Sequence, residues 1–134
     1  MEMLFTVISA ILTPSNLLII LGGTILGIVF GAVPGLSATT GIALMLPVSF
    51  SMSSTTGILF LGSIYIGGIS GGLISAILIG VPGTPASVAT CFDGYPMAKG
   101  GRSSRALGIG ILSSFIGTFI SVLISMIFWI KCIS

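Results

Sequence analysis

The chain has 134 residues, of which 54% are hydrophobic and 4% charged, with a mean hydropathy of +1.30 and a formal net charge of +2. Soluble domains carry about 25% charged residues. From Met3 to Phe92 this sequence has no Asp, Glu, Lys or Arg, so it cannot build a water-facing surface there, and residues 1–134 are expected to form one integral membrane domain. There is no histidine, there are two acids, and the two cysteines, Cys91 and Cys132, lie far apart. That inventory excludes His-based and paired-carboxylate catalysis, a clustered metal site and a disulfide framework, so no enzyme is expected. The small, local positive charge does not suit nucleic acid.

Met3 to Leu12 is apolar but only ten residues long, which suits a short interfacial helix rather than a span. The start opens on Glu2, without the basic region or cleavage site of a signal peptide. Thr13 then reads as an N-cap with Pro14 at the first helical position. A helix from there to Val33 covers about 30 Å, one bilayer core. Gly23, Gly27 and Gly31 recur every four residues on one face and predict a close helix-packing seam.

"VPGLSATTG", from Val33 to Gly41, interrupts. Pro34 and Gly35 break the helix, and Ser37, Thr39 and Thr40 can cap a new one. The segment Ser37 to Leu46 is too short to cross a membrane and reads as a half-helix closed by Pro47. Ser54 to Ile79 is the second full span, about 39 Å long if wholly helical. On it Gly68, Gly72 and Ser75 share one face, with Gly71 close by.

"GVPGTPASVATCFDGYP", Gly80 to Pro96, holds three prolines and Asp93, the first acid since Glu2. Its "DGYP" reads as the start of a turn into the basic segment "MAKGGRSSRA". Lys99, Arg102 and Arg105 put three cations into seven residues beside a span, and the positive-inside rule assigns loop 96–105 to the cytoplasm. Arg105 to Ile130 is the third full span. Gly110, Ser114, Gly117, Ser121 and Ser125 make a stripe of small residues along it, and Trp129 with Lys131 suits an interfacial anchor.

The two interruptions are alike. "VPGLSAT" at Val33 and "VPGTPAS" at Val81 each follow an apolar run, 48 residues apart. Paired helix breaks of this kind point to a transporter binding site. A broken helix exposes N–H groups that lipid cannot satisfy, and these carry the positive end of the helix dipole, about half an elementary charge. Two such ends facing one cavity bind an anion without a buried Lys or Arg, and freed carbonyls could hold Na⁺. The plainer alternative is that both breaks are surface turns. The fold expected is therefore all-α: about three full transmembrane helices, two Pro/Gly-broken re-entrant half-helices and the N-terminal interfacial helix.

The strings "GAVPGLSATTGIALMLP" and "GGISGGLISAILIGVPGTPASVATCFDGYPMAKGGRSSRALGIG" resemble the large membrane subunit of the tripartite tricarboxylate transporters, the TctA family. The resemblance runs from about Thr13 to the last span and covers the N-terminal part of the family's length. It implies a permease of the bacterial cell inner membrane for carboxylates such as citrate. Such a permease works with a small membrane subunit and a periplasmic solute-binding protein, is driven by an ion gradient (Na⁺ or H⁺), and needs no further cofactor. The resemblance carries over Pro34, Gly35, Ser37, Thr39, Pro82, Gly83, Thr84, Pro85 and Ser87 as site residues, and Thr40 joins them from the first break. Asp93 could bind the coupling cation, cap a turn, or pair with Lys99 or Arg102. "FWIKCIS" ends the chain without a tail, so the N-terminal fragment of a longer permease, inactive alone, is expected. A scaffold or assembly subunit, or a small pore made by a homo-oligomer lined with Ser and Thr, are the alternatives.

Overall fold

The structure, a computed structural model, describes residue 9 and residues 11–133. The regular elements are α1 (Pro14–Ala32), α2 (Ala38–Ser49), α3 (Ser54–Ile79), α4 (Val88–Met97) and α5 (Ser103–Ile133). A 3₁₀ turn, Pro85–Ser87, leads into α4, and a π turn, Ala98–Arg102, joins α4 to α5. No strand occurs among the described residues. Three helical runs are long and apolar enough to cross a membrane: α1, α3 and the run that contains α5. The interfacial helix expected over Met3 to Leu12 falls almost wholly outside the described residues.

Local chemistry sets the helix starts. Ser37 and Thr40 form a capping box on α2: the Thr40 N–H donates to Ser37 Oγ at 3.3 Å, and the Ser37 N–H to Thr40 Oγ1 at 3.4 Å. Ser53 caps α3 by accepting from the Thr56 N–H at 3.4 Å. Gly80 closes α3 in the left-handed conformation, φ +74°, which a side chain would strain.

The core is α3, against which every other helix packs. Of its most apolar stretch 44% is buried, against 17% for α1 and none for the run containing α5. The expected glycine seam is present: Gly23 meets Phe60 and Ser63, Gly27 meets Ile64 and Gly67, and Gly31 meets Gly68. From α3, Gly67 and Gly71 answer against Thr24 and Ile28. Residue numbers rise together along this seam, so α1 and α3 run parallel. A Cβ at Gly27 or Gly31 would enter a backbone carbonyl of α3, so only glycine allows this approach.

Beside this pair α2 runs the other way. Ala38 lies on Gly68, Gly41 on Ile64, and Ser49 on Gly57. Both ends of the α1–α2 hairpin are thus at the N-terminal end of α3, where Thr56 Oγ1 also donates to Asn16 Oδ1 at 3.4 Å. A second hairpin approaches from the opposite end. After Gly80 the chain doubles back along α3 to Gly83 and Thr84, which meet Gly72, and α4 then climbs so that Gly94 lies on Ile77 and Tyr95 on Gly80.

Four expectations change. Pro47 does not close the half-helix; it lies inside α2, which continues to Ser49. Its missing N–H costs one bond, to the Ala43 carbonyl, near a helix end that would fray anyway. "DGYP" is not a turn: Asp93 to Pro96 lie within α4, because Gly94 is the point at which α4 touches Ile77. Asp93 therefore caps no turn. Residues 96–105 are not an open loop but a nearly continuous helical bend, kinked at Gly101, φ +79°. The small-residue stripe on α5 is covered only at Gly110, which meets Leu73 and Ile77; Gly117 has nothing near it, and Ser121 and Ser125 are exposed.

Candidate functional site

The tips of the two hairpins meet on one face of α3. The first tip is the turn Val33–Pro34–Gly35–Leu36, closed by the Leu36 N–H donating to the Val33 carbonyl at 3.1 Å. Pro34 at the second position and Gly35 at the third, with φ +90°, are the pattern of a type II turn. The second tip is Gly83–Thr84, and its Gly83 packs between the Gly31 carbonyl, Gly72 and Ser75 Oγ. Ala38, the first residue of α2, rests on Gly68, while Thr84 rests on Gly72. Gly68 and Gly72 are one turn apart, about 6 Å along α3. Two helix starts therefore lie side by side against a glycine surface.

The hydroxyls at the two starts are arranged differently. At the first, Ser37 Oγ lies 2.5 Å from Thr39 Oγ1 and 3.1 Å from Thr40 Oγ1; Thr39 is exposed, and Ser37 and Thr40 are half-buried. Pro34 and Gly35 are exposed. At the second, Gly83, Thr84 and Ser87 are buried and Pro82 is half-buried, with Pro85 exposed. The Thr84 N–H donates to Ser87 Oγ at 3.2 Å, and Ser87 Oγ donates to the Thr84 carbonyl at 2.8 Å. Ser75 Oγ, also buried, donates to the Gly72 carbonyl at 3.0 Å. No buried side-chain oxygen or nitrogen among the described residues lacks a partner.

This geometry has a definite electrostatic sense. The N–H groups at the start of a helix carry partial positive charge and favour anions. At the second tip the Thr84 N–H is taken up by Ser87 Oγ, and the Gly31 carbonyl, from the negative end of α1, lies against Gly83, so that charge is partly compensated. At the first tip Ser37 and Thr39 remain accessible. Among the sequence-derived site residues, the structure brings Pro34, Gly35, Ser37, Thr39 and Thr40 to one tip and Pro82 to Ser87 to the other. Gly31, Gly68, Gly72 and Ser75 form the wall between the tips; their spacing of three and four residues marked them for packing, and nothing in it announced that both tips would rest on them.

Asp93 stands apart. It is exposed on α4 and lines a cleft of about 490 Å³ between α3, α4 and α5, shared with Leu73, Ile77, Thr90, Ile109 and Ser113. Lys99, Arg102 and Arg105 are exposed around the kink beyond the cleft's end. The Lys99 ammonium lies over the Tyr95 ring, 5.9 Å from its centre, a cation–π contact. No group of three or more His, Cys, Asp or Glu able to hold a metal occurs among the described residues.

The model of the tripartite tricarboxylate transporter TctA family matches residues 17–132. A protein of Agrobacterium vitis described as an "Uncharacterized 52.8 kDa protein in TAR-I ttuC' 3'region" is 40% identical over 113 residues, covering 84% of this chain. The chain spans 22% of that relative's length. No solved structure matches. The two Val-Pro-Gly hairpins and the glycine-floored tips thus lie inside the matched segment, and the chain belongs to the tripartite tricarboxylate transporter TctA family.

Proposed function

We propose that this chain forms the carboxylate-binding part of a membrane permease in a tripartite, binding-protein-dependent uptake system. The observation that carries the reading is the meeting of two helix starts, from hairpins entering at opposite ends of α3, on Gly68 and Gly72. Both tips lie inside the length of a helix long enough to span, roughly 10 to 17 Å from its C-terminal end. In a bilayer such hairpins are re-entrant, and their backbone is satisfied because they face protein or a ligand rather than lipid. The anion is held first by Ser37, Thr39 and the free N–H groups of α2, with the second tip as the opposing surface. No Lys or Arg is needed for this, and none lies in α1, α2 or α3.

The chain works with a small membrane subunit and a periplasmic solute-binding protein that hands over substrate, a reading supported by its membership of a tripartite transporter family. Transport follows an ion gradient, with Na⁺ or H⁺ as the coupling ion and Asp93 as its ligand. The kinked basic segment from Pro96 to Arg105 faces the cytoplasm of a bacterial inner membrane.

The test is uptake of labelled citrate by cells carrying the transport system. Thr39→Val removes an exposed hydroxyl that does not cap α2. It raises the half-saturating concentration about tenfold, the equivalent of one hydrogen bond to a charged group. Uptake identical to the unaltered protein at limiting citrate would remove the first tip from the site.

A further inference from the structure

The cleft between α3, α4 and α5 belongs to neither tip. It is walled mainly by hydrocarbon, from Leu73, Ile77 and Ile109 among others, and at one end by Met97 and Ala106. Met97 and Ala106 are the residues that flank the basic bend carrying Lys99, Arg102 and Arg105. An apolar slot thus opens beneath a positive rim. Arg105, Ile109 and Ser113 follow one another at four-residue spacing on α5, so Arg105 lies one turn before the cleft wall, and Arg102 ends the π turn that leads into the same helix. Asp93, the one acid among the described residues, lines the slot, which leaves the local balance at +2.

We propose that this cleft is a binding site for an anionic glycerophospholipid, with an acyl chain in the slot and the headgroup phosphate on Arg102 and Arg105. Each part of the ligand meets its complement. Arginine presents a planar fork to phosphate oxygens, and two arginines three residues apart at the bend give two such forks. Basic pockets between membrane helices on the cytoplasmic side are where anionic headgroups are held. Lys99, already over Tyr95, supplies long-range attraction rather than a direct contact. The slot's apolar walls would otherwise face one another across a gap, and an acyl chain restores their contacts. None of the residues of the two tips lines the cleft, and of the groups named in the carboxylate reading it shares only Asp93.

Native mass spectrometry on the full chain, released from nanodiscs of defined composition, tests it. Phosphatidylglycerol is retained through release and phosphatidylcholine is not. Arg102→Gln with Arg105→Gln loses the retained lipid. Ser113→Phe, at an exposed position, fills the slot without touching a charge and loses it too. Asp93→Asn strengthens retention by removing the opposing charge. If the double arginine variant fails to fold, the unaltered protein still decides the matter, because retention of phosphatidylglycerol falls as NaCl rises. Equal retention of phosphatidylcholine, retention indifferent to both the arginine pair and salt, or displacement of the lipid by inorganic phosphate at the same concentration would each overturn the site.

Discussion

The two Val-Pro-Gly breaks are near-twins in sequence and opposites in structure. In the first, Gly35 has open space around it and is needed for its backbone angle, φ +90°. In the second, Gly83 has an ordinary backbone angle and is needed for space, wedged against the Gly31 carbonyl and Gly72. The left-handed residue that the second reversal requires is Gly80, three positions earlier. The same tripeptide therefore serves once to turn a chain and once to let two backbones touch. Burial follows the same division. The first tip leaves hydroxyls accessible, and the second is sealed into the α1–α3 pair.

That contrast can be broken by substitution. Gly83→Ala is expected to have the largest effect, because its Cβ would enter the Gly31 carbonyl and neither backbone can yield; about 3 kcal/mol is the upper part of the usual overpacking range. Gly35→Ala meets no neighbour and costs only its backbone angle, about 1 kcal/mol. Thermal unfolding followed by circular dichroism in detergent should rank the two in that order. Equal losses would mean that the breaks are equivalent after all. Gly117→Ala on α5 is the smallest of the set: it has nothing within reach, so the melting temperature holds or rises slightly. A clear loss there would show that the α5 stripe is covered in solution.

The sequence made much of this fold legible because the relevant signals were local. Ser37 before Ala38 is capping chemistry, and α2 starts where that chemistry puts it. The glycine spacing on α1 led directly to its seam with α3. What failed was local chemistry overruled by packing. Asp-Gly-Tyr-Pro reads as a turn by every short-range rule, yet Gly94 and Tyr95 are held in helix by Ile77 and Gly80 from α3. The likeness of the two breaks was legible, and with it the expectation that they face one another; the path by which they meet was not, because the doubling back from Gly80 to Gly83 is set by contacts with Gly31 and Gly72, distant in sequence. For the same reason a stripe of small residues did not distinguish α3, which is wrapped, from α5, which is bare.

The glycine seam also fixes what can move. Turning α1 by one residue, about 100°, would drive Thr24 or Ile28 into space that only hydrogen fits. Sliding is blocked as well, since the next position that sets glycine on glycine is four residues away, about 6 Å. The α1–α3 pair is therefore a stator. Of the two hairpins, only the second is bounded at both ends by left-handed glycines, Gly80 and Gly101. That hairpin is nonetheless tied to the same pair at its tip, where Gly83 is wedged against Gly31 and Gly72, so its left-handed glycines set where it bends and not where it is free.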